Sequence, residues 1–251
     1  MEATRDRIAL LWGAGIVAVT LLAGAVGFVL LPSQRGQTLW DSVCLAIGIP
    51  VPVRPAVQRV TNEAASSVAW TPQTIRALGQ ADPRAAAAVV QQCNACHGAN
   101  GVGTSDQFPN LAAQVPDAIY KQLMDFKTGK RVNPLMSPMA QPLDEKQMAA
   151  LSVHYAGLYG PVPELKGAPQ LVTSGDPMRN IAPCASCHGG YAVKEGAPSL
   201  AGQKAAYLEA QLLAFAQGTR RNDINAQMRT VAKALTPEEV TRLARWYSEQ
   251  R

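Results

Sequence analysis

The string Cys-x-x-Cys-His occurs twice, as Cys93-Asn94-Ala95-Cys96-His97 and again 91 residues later as Cys184-Ala185-Ser186-Cys187-His188. Around it the chain repeats in order. Pro109-Asn110-Leu111 returns as Pro198-Ser199-Leu200. Gln122, Leu123, Phe126, Gly129 and Arg131 return as Gln211, Leu212, Phe215, Gly218 and Arg220, all 89 residues on. Met136 with Leu143 returns as Met228 with Leu235, 92 residues on. Ordered agreement of this kind is duplication. It predicts two domains, at 81–160 and 176–251, separated by a Pro- and Gly-punctuated linker at 161–175.

Each copy reads as helices. Asp82-Pro83 starts the first as cap plus first-turn proline. Middle helices are expected near 117–128 and 204–217. The last helices open on Asp144 with Gln147 and on Thr236 with Glu239, both fitting a capping box. No segment alternates like a strand, so the expected fold class is all-α. Domains of about 80 residues bury little core and usually depend on a covalent, metal or cofactor staple.

Cys-x-x-Cys-His supplies that staple, as the attachment signature of c-type haem. Each thiol adds to one porphyrin vinyl group, and the following histidine falls beneath the iron. The expected attachment residues are Cys93, Cys96, Cys184 and Cys187, and the expected proximal ligands are His97 and His188. A four-thiolate zinc site would leave both histidines without a purpose, and a thioredoxin-like pair would need a βαβ setting. A sixth ligand should persist in both copies. Met136 and Met228 do, Met228 being read as lying in a polar loop. Met139 competes, but its repeat partner is Val231. Met178 lies too near the expected second attachment helix, and Met124 and Met148 match Leu213 and Val240, as core residues would. His154 matches Trp246 and reads as a packing or surface residue.

Residues 8–31 carry no charged side chain and are closed by Pro32. A helix of that length spans the ~30 Å hydrocarbon core, and it outruns the apolar region of a cleaved signal peptide. The expectation is therefore a transmembrane anchor at 1–31. A periplasmic extension follows at 32–80, in which Cys44 is a free thiol. Haem is attached outside the bacterial cytoplasm, so residues 32–251 are expected in the periplasm, tethered to the inner membrane.

With these features the sequence resembles class I cytochromes c, and as a tandem pair the diheme cytochrome c4 family. The resemblance covers about 81–251: both attachment motifs, both Pro-x-Leu stretches, both Gly-x-Arg runs and both methionines. It implies two covalently bound haems. It also implies that the carbonyls of Pro109 and Pro198 accept from the second nitrogens of His97 and His188, and that Arg131 and Arg220 lie near haem propionates. Without the resemblance those arginines read as solvated charges. The anchor and the 32–80 stretch depart from a typical soluble member. Membrane-tethered versions resemble electron donors to haem-copper terminal oxidases.

Histidine plus methionine closes both axial positions and raises the reduction potential, which leaves one-electron transfer rather than bond-making catalysis. The formal charge is +5, from 23 basic and 18 acidic residues. That is too mild and too evenly spread for a nucleic-acid partner. The first domain is neutral and residues 161–251 carry +3, enough to steer a small electron-transfer encounter. The leading expectation is a respiratory electron carrier between a quinol-oxidising complex and a terminal oxidase. The alternatives are an electron-accepting subunit of a membrane dehydrogenase complex and a diheme peroxidase.

Overall fold

The last helix of each copy begins as its residues dictate. In α5 (Glu145–Ala156), Gln147 N–H donates to Asp144 Oδ1 at 2.7 Å and Asp144 N–H to Gln147 Oε1 at 3.0 Å. In α9 (Pro237–Ser248), Glu239 N–H donates to Thr236 Oγ1 at 3.2 Å and Thr236 N–H to Glu239 Oε2 at 2.9 Å. Both are complete capping boxes, satisfying first-turn N–H groups that the helix itself leaves unpaired.

The computed structural model describes residues 64–250, with Val19 and Gly48 as isolated positions. The expected anchor, apart from Val19, and Cys44 lie outside the described residues. Among the described residues no helix is long and apolar enough to cross a membrane. The other helices are α1 (Pro72–Gly79), α2 (Ala87–His97), α3 (Pro116–Lys127), α4 (Met136–Ala140), α6 (Gln170–Thr173), α7 (Ala205–Gln217) and α8 (Gln227–Ala234). Extended pairing among the described residues is limited to the bridges Asp176–Ile181 and His188–Val193.

Both copies fall in one unit spanning Ala64–Arg251, and each has its own core. The first gathers Val90, Ile119, Leu123, Met148, Leu151 and Tyr155, with Cys93 and Met136 packed against it. The second gathers Val172, Ile181, Ala185, Leu208, Leu243 and Tyr247, with Cys184 against it. Residues outside the expected boundaries contribute to both. Leu78 of α1 is buried in the first core, with Trp70 beside it. Leu165, Leu171 and Val172, from the stretch read as a linker, pack into the second.

Two local expectations are corrected. The second attachment segment is not a helix: Cys184–Ser186 forms one 3₁₀ turn, where α2 runs eleven residues. Pro183 stands immediately before Cys184 and disfavours helix in the residue preceding it. In the first copy the helix-forming run from Ala85 leads straight into Cys93. Met228 lies not in a loop but in the first turn of α8. That helix was masked by its polar residues, but Val231, Ala234 and Leu235 pack onto the second core and Ala232 is buried.

Candidate haem sites

His97 ends α2, and the chain turns away at Gly98, whose φ of +74° would place any Cβ 2.1 Å from the Val102 carbonyl oxygen. The turn sends the chain round to Pro109, where His97 Nδ1 lies 2.9 Å from the carbonyl oxygen. In the second copy His188 Nδ1 lies 2.8 Å from the Pro198 carbonyl oxygen. A carbonyl only accepts, so Nδ1 carries the proton in both rings and Nε2 keeps its lone pair. Burial lowers the pKa of both imidazoles, against the opposing effect of the carbonyl bonds. Two neutral rings with Nε2 as the free donor atom suit metal ligation.

The methionines sort by burial. Met178 is 94% exposed and Met139 41% exposed, whereas Met136 packs on the first core. Met148 is fully buried, and Met124 packs on the first core too. Met228 is half-buried on α8. His154 packs edge-on against Tyr155 at 5.0 Å between ring centroids, as Trp246 packs on Tyr247 at 4.8 Å. The duplicated tyrosines differ in one respect. Tyr155 hydroxyl donates to Asn94 Oδ1 at 3.0 Å. At the position matching Asn94 the second copy has Ala185, so the buried Tyr247 hydroxyl lacks that acceptor.

Arg131 and Arg220 are not solvated charges. Each stacks over a phenylalanine of its own copy, Arg131 over Phe126 at 4.6 Å and Arg220 over Phe215 at 4.4 Å. Each donates to its own copy's glutamine and to the other's. Arg131 reaches Gln122 Oε1 and Gln211 Oε1, both at 2.8 Å. Arg220 reaches Gln211 Oε1 at 2.7 Å and Gln122 Oε1 at 3.1 Å. Arg131 also donates to the Tyr207 hydroxyl at 3.1 Å. Burial, then the like charge of Arg131, presses the Arg220 pKa down. Behind this crossing lies a buried pair that sequence reasoning missed, Lys121 Nζ to Asp125 Oδ2 at 2.6 Å. Ser66 Oγ donates to Asp125 Oδ1 at 2.6 Å, and Asn222 Nδ2 to Oδ2 at 2.7 Å. Lys121 also donates to the Asn222 carbonyl at 2.6 Å.

A second crossing was also missed. Gln203 is buried, and its amide pairs with the backbone of Asn110, while Gln114 pairs with that of Ser199. The signal available in the sequence was spacing, since Gln114 and Gln203 stand 89 residues apart, like the other repeat pairs.

Comparison with known proteins agrees with this geometry. Residues 80–154 match the family model described as cytochrome c oxidase, cbb3-type, subunit III, and residues 181–248 match that described as cytochrome c. A cytochrome c4 of Thiocapsa roseopersicina is 36% identical over 179 residues, covering 66% of this chain and 91% of that protein. The chain belongs to the diheme cytochrome c4 family. The crystal structure of reduced recombinant cytochrome c4 from Pseudomonas stutzeri superimposes with a TM-score of 0.62 at 29% identity, over 68% of this chain and 100% of that one. A protein described as thiosulfate dehydrogenase electron acceptor, from Stutzerimonas stutzeri (strain A1501), is 38% identical over 188 residues, covering 70% of this chain and 84% of that protein.

As a cytochrome c4 the chain carries two covalently bound c-type haems, one per domain, and it is an electron-transfer protein rather than an enzyme. The donor set fits that group: two thiols and one neutral imidazole with a free Nε2 in each copy.

Proposed function

We propose that this cytochrome c4 takes electrons one at a time from a dehydrogenase that oxidises thiosulfate and passes them to a haem-copper terminal oxidase. The observation carrying the donor half is the 38% identity to thiosulfate dehydrogenase electron acceptors, which extends over both haem domains and most of their length. The acceptor half follows from the membrane-tethered arrangement read in the sequence. In this reading residues 1–31 anchor the chain in the bacterial inner membrane and the haem domains stand in the periplasm. Tethering raises the effective concentration at a membrane-bound acceptor, so a small and weak interface suffices.

Within each domain the thiols of Cys93 and Cys96, or of Cys184 and Cys187, anchor the haem. His97 and Met136 would hold the first iron, and His188 and Met228 the second. The group supplies reversible one-electron chemistry at a potential raised by thioether ligation. The protein's own part is to fix each imidazole through a proline carbonyl, exclude water, and hold the haem domains together. Arg131 and Arg220 carry more positive charge into the interface than Asp125 balances, which favours anionic propionates beside them.

Stopped-flow mixing of the oxidised full chain in mild detergent tests the donor. Thiosulfate plus its dehydrogenase should reduce both haems within the enzyme's turnover time, faster than a quinol-oxidising complex with quinol does. Preferential reduction by the quinol-oxidising complex would overturn the donor assignment.

A further inference from the structure

We infer that each domain tunes the axial histidine of the other through a glutamine, by a hydrogen-bond relay that crosses the interface twice. The Pro109 carbonyl that receives the His97 proton belongs to the same peptide group as the Asn110 N–H. That N–H donates to Gln203 Oε1 at 2.9 Å. The relay therefore runs from Gln203 of the second domain, through the Pro109–Asn110 peptide, to His97 of the first. Its mirror runs from Gln114 of the first domain, whose Oε1 accepts from Ser199 N–H at 2.6 Å, through the Pro198–Ser199 peptide, to His188 of the second.

Each glutamine also donates from Nε2 to the carbonyl of the same residue, Gln203 to Asn110 O at 2.9 Å and Gln114 to Ser199 O at 3.0 Å. The amide is thus held at both ends. In both copies the glutamine oxygen engages the N–H of the one peptide whose carbonyl meets the histidine.

The physical effect has a definite sign. A peptide whose N–H is engaged has a more negative carbonyl oxygen, because hydrogen bonds in a chain polarise one another by roughly 10–30% per bond. A stronger acceptor draws the Nδ1 proton further and gives the imidazole more anionic character. That stabilises ferric iron and lowers the potential, as outer-shell partners of ligating histidines do. Gln114 and Gln203 are positioning residues, each acting through a peptide on the other domain's imidazole. A change at one domain's loop is therefore felt at the other domain's iron.

The inference rests on the reading of His97 and His188 as axial ligands. It is tested on the full-length holoprotein with Gln203→Leu and Gln114→Leu, following the two haem potentials together with the hyperfine-shifted histidine signals that assign them. Gln203→Leu should raise the potential of the His97 haem more than that of the His188 haem, and Gln114→Leu should do the reverse. Equal shifts at both haems, no shift, or a shift confined to the mutated domain's own haem would overturn the relay. If neither variant folds, the unmodified ferrous protein still decides. A through-hydrogen-bond coupling should link Asn110 amide nitrogen to Gln203 Cδ, and Ser199 amide nitrogen to Gln114 Cδ, and absence of both rejects the inference. Failure of the ligand reading looks different, because the shifted imidazole signals would then be missing from the unmodified protein.

Discussion

Replacing Asp125 by asparagine removes one negative charge and almost no volume from a fully buried position. The carboxylate accepts from Ser66, Lys121 and Asn222, and it is the anion directly paired with Lys121 while the like charges of Arg131 and Arg220 act on that ammonium. Breaking a buried pair by removing one partner costs about 3–5 kcal/mol, because the other charge is left uncompensated. The retained bond from Lys121 to the Asn222 carbonyl argues for the lower half of that range. For a folded unit of this size each kcal/mol is worth about 2–4 °C in Tm, so a fall of roughly 6–16 °C is expected. The measurement is thermal and guanidinium unfolding of the holoprotein, with Glu249→Gln as the control. Glu249 pairs with Arg245 at 2.9 Å, but their side chains are 61% and 78% exposed, and such a pair is worth at most about 1 kcal/mol.

The pH dependence adds a second readout. Burial lowers the Lys121 pKa from its ordinary value of 10.5, and Asp125 opposes that shift. In Asp125→Asn the opposition is gone and the folded-state pKa falls further. The unfolded chain then binds more protons than the folded one over a wider range below pH 10.5, so the variant regains stability as pH rises toward 10.5. Adding Lys121→Met to Asp125→Asn should restore stability rather than cost more. A loss in Asp125→Asn no larger than that of Glu249→Gln, or a double variant weaker than the single, would refute the reasoning.

Further outcomes follow from other named contacts. Removing the cap side chain in Asp144→Ala or Thr236→Ala should each cost about 1 kcal/mol in denaturant unfolding. Arg179 holds Glu239 with two bonds, at 2.8 and 2.9 Å, and Glu239 has its pKa lowered from 4.5 to about 2. The stability this pair contributes is present above pH 4.5 and is lost as pH falls toward 2, and Glu239→Gln should flatten that part of the wild-type acid curve. A double-mutant cycle on Arg131→Met and Gln211→Leu, read by unfolding, should show coupling above 0.5 kcal/mol, since the two groups are in direct contact.

What could be read in the sequence was what is local or repeated. The capping boxes involve residues three apart. The bonds from His97 and His188 to Pro109 and Pro198 span loops of similar length in both copies, and the family resemblance pointed to them. Repeat position sets Met139 aside and nearness to Cys184 sets Met178 aside, and both are exposed. What could not be read depends on partners about a hundred residues away. Lys121, Asp125 and Asn222 look like ordinary surface polar residues until the two domains meet. Asn222 itself repeats Asn133, yet Asn133 accepts from Leu135 and Met136 N–H in the turn that leads into α4, so the repeat concealed a divergence in role. α1 lies outside the repeated stretch, so no second copy pointed to it, although Thr71 caps it ahead of Pro72.

The electron-transfer role depends on each iron being held between an imidazole and a methionine sulfur. The most direct measurement is the near-infrared sulfur-to-iron absorption of the oxidised protein in Met136→Ala, Met228→Ala and Met139→Ala. The first two substitutions should each remove about half of the band, by the one-thioether-per-haem ligation assigned above, and the third should leave it whole. A band that survives in Met136→Ala and Met228→Ala, or disappears with Met139→Ala, would contradict the assignment at its centre.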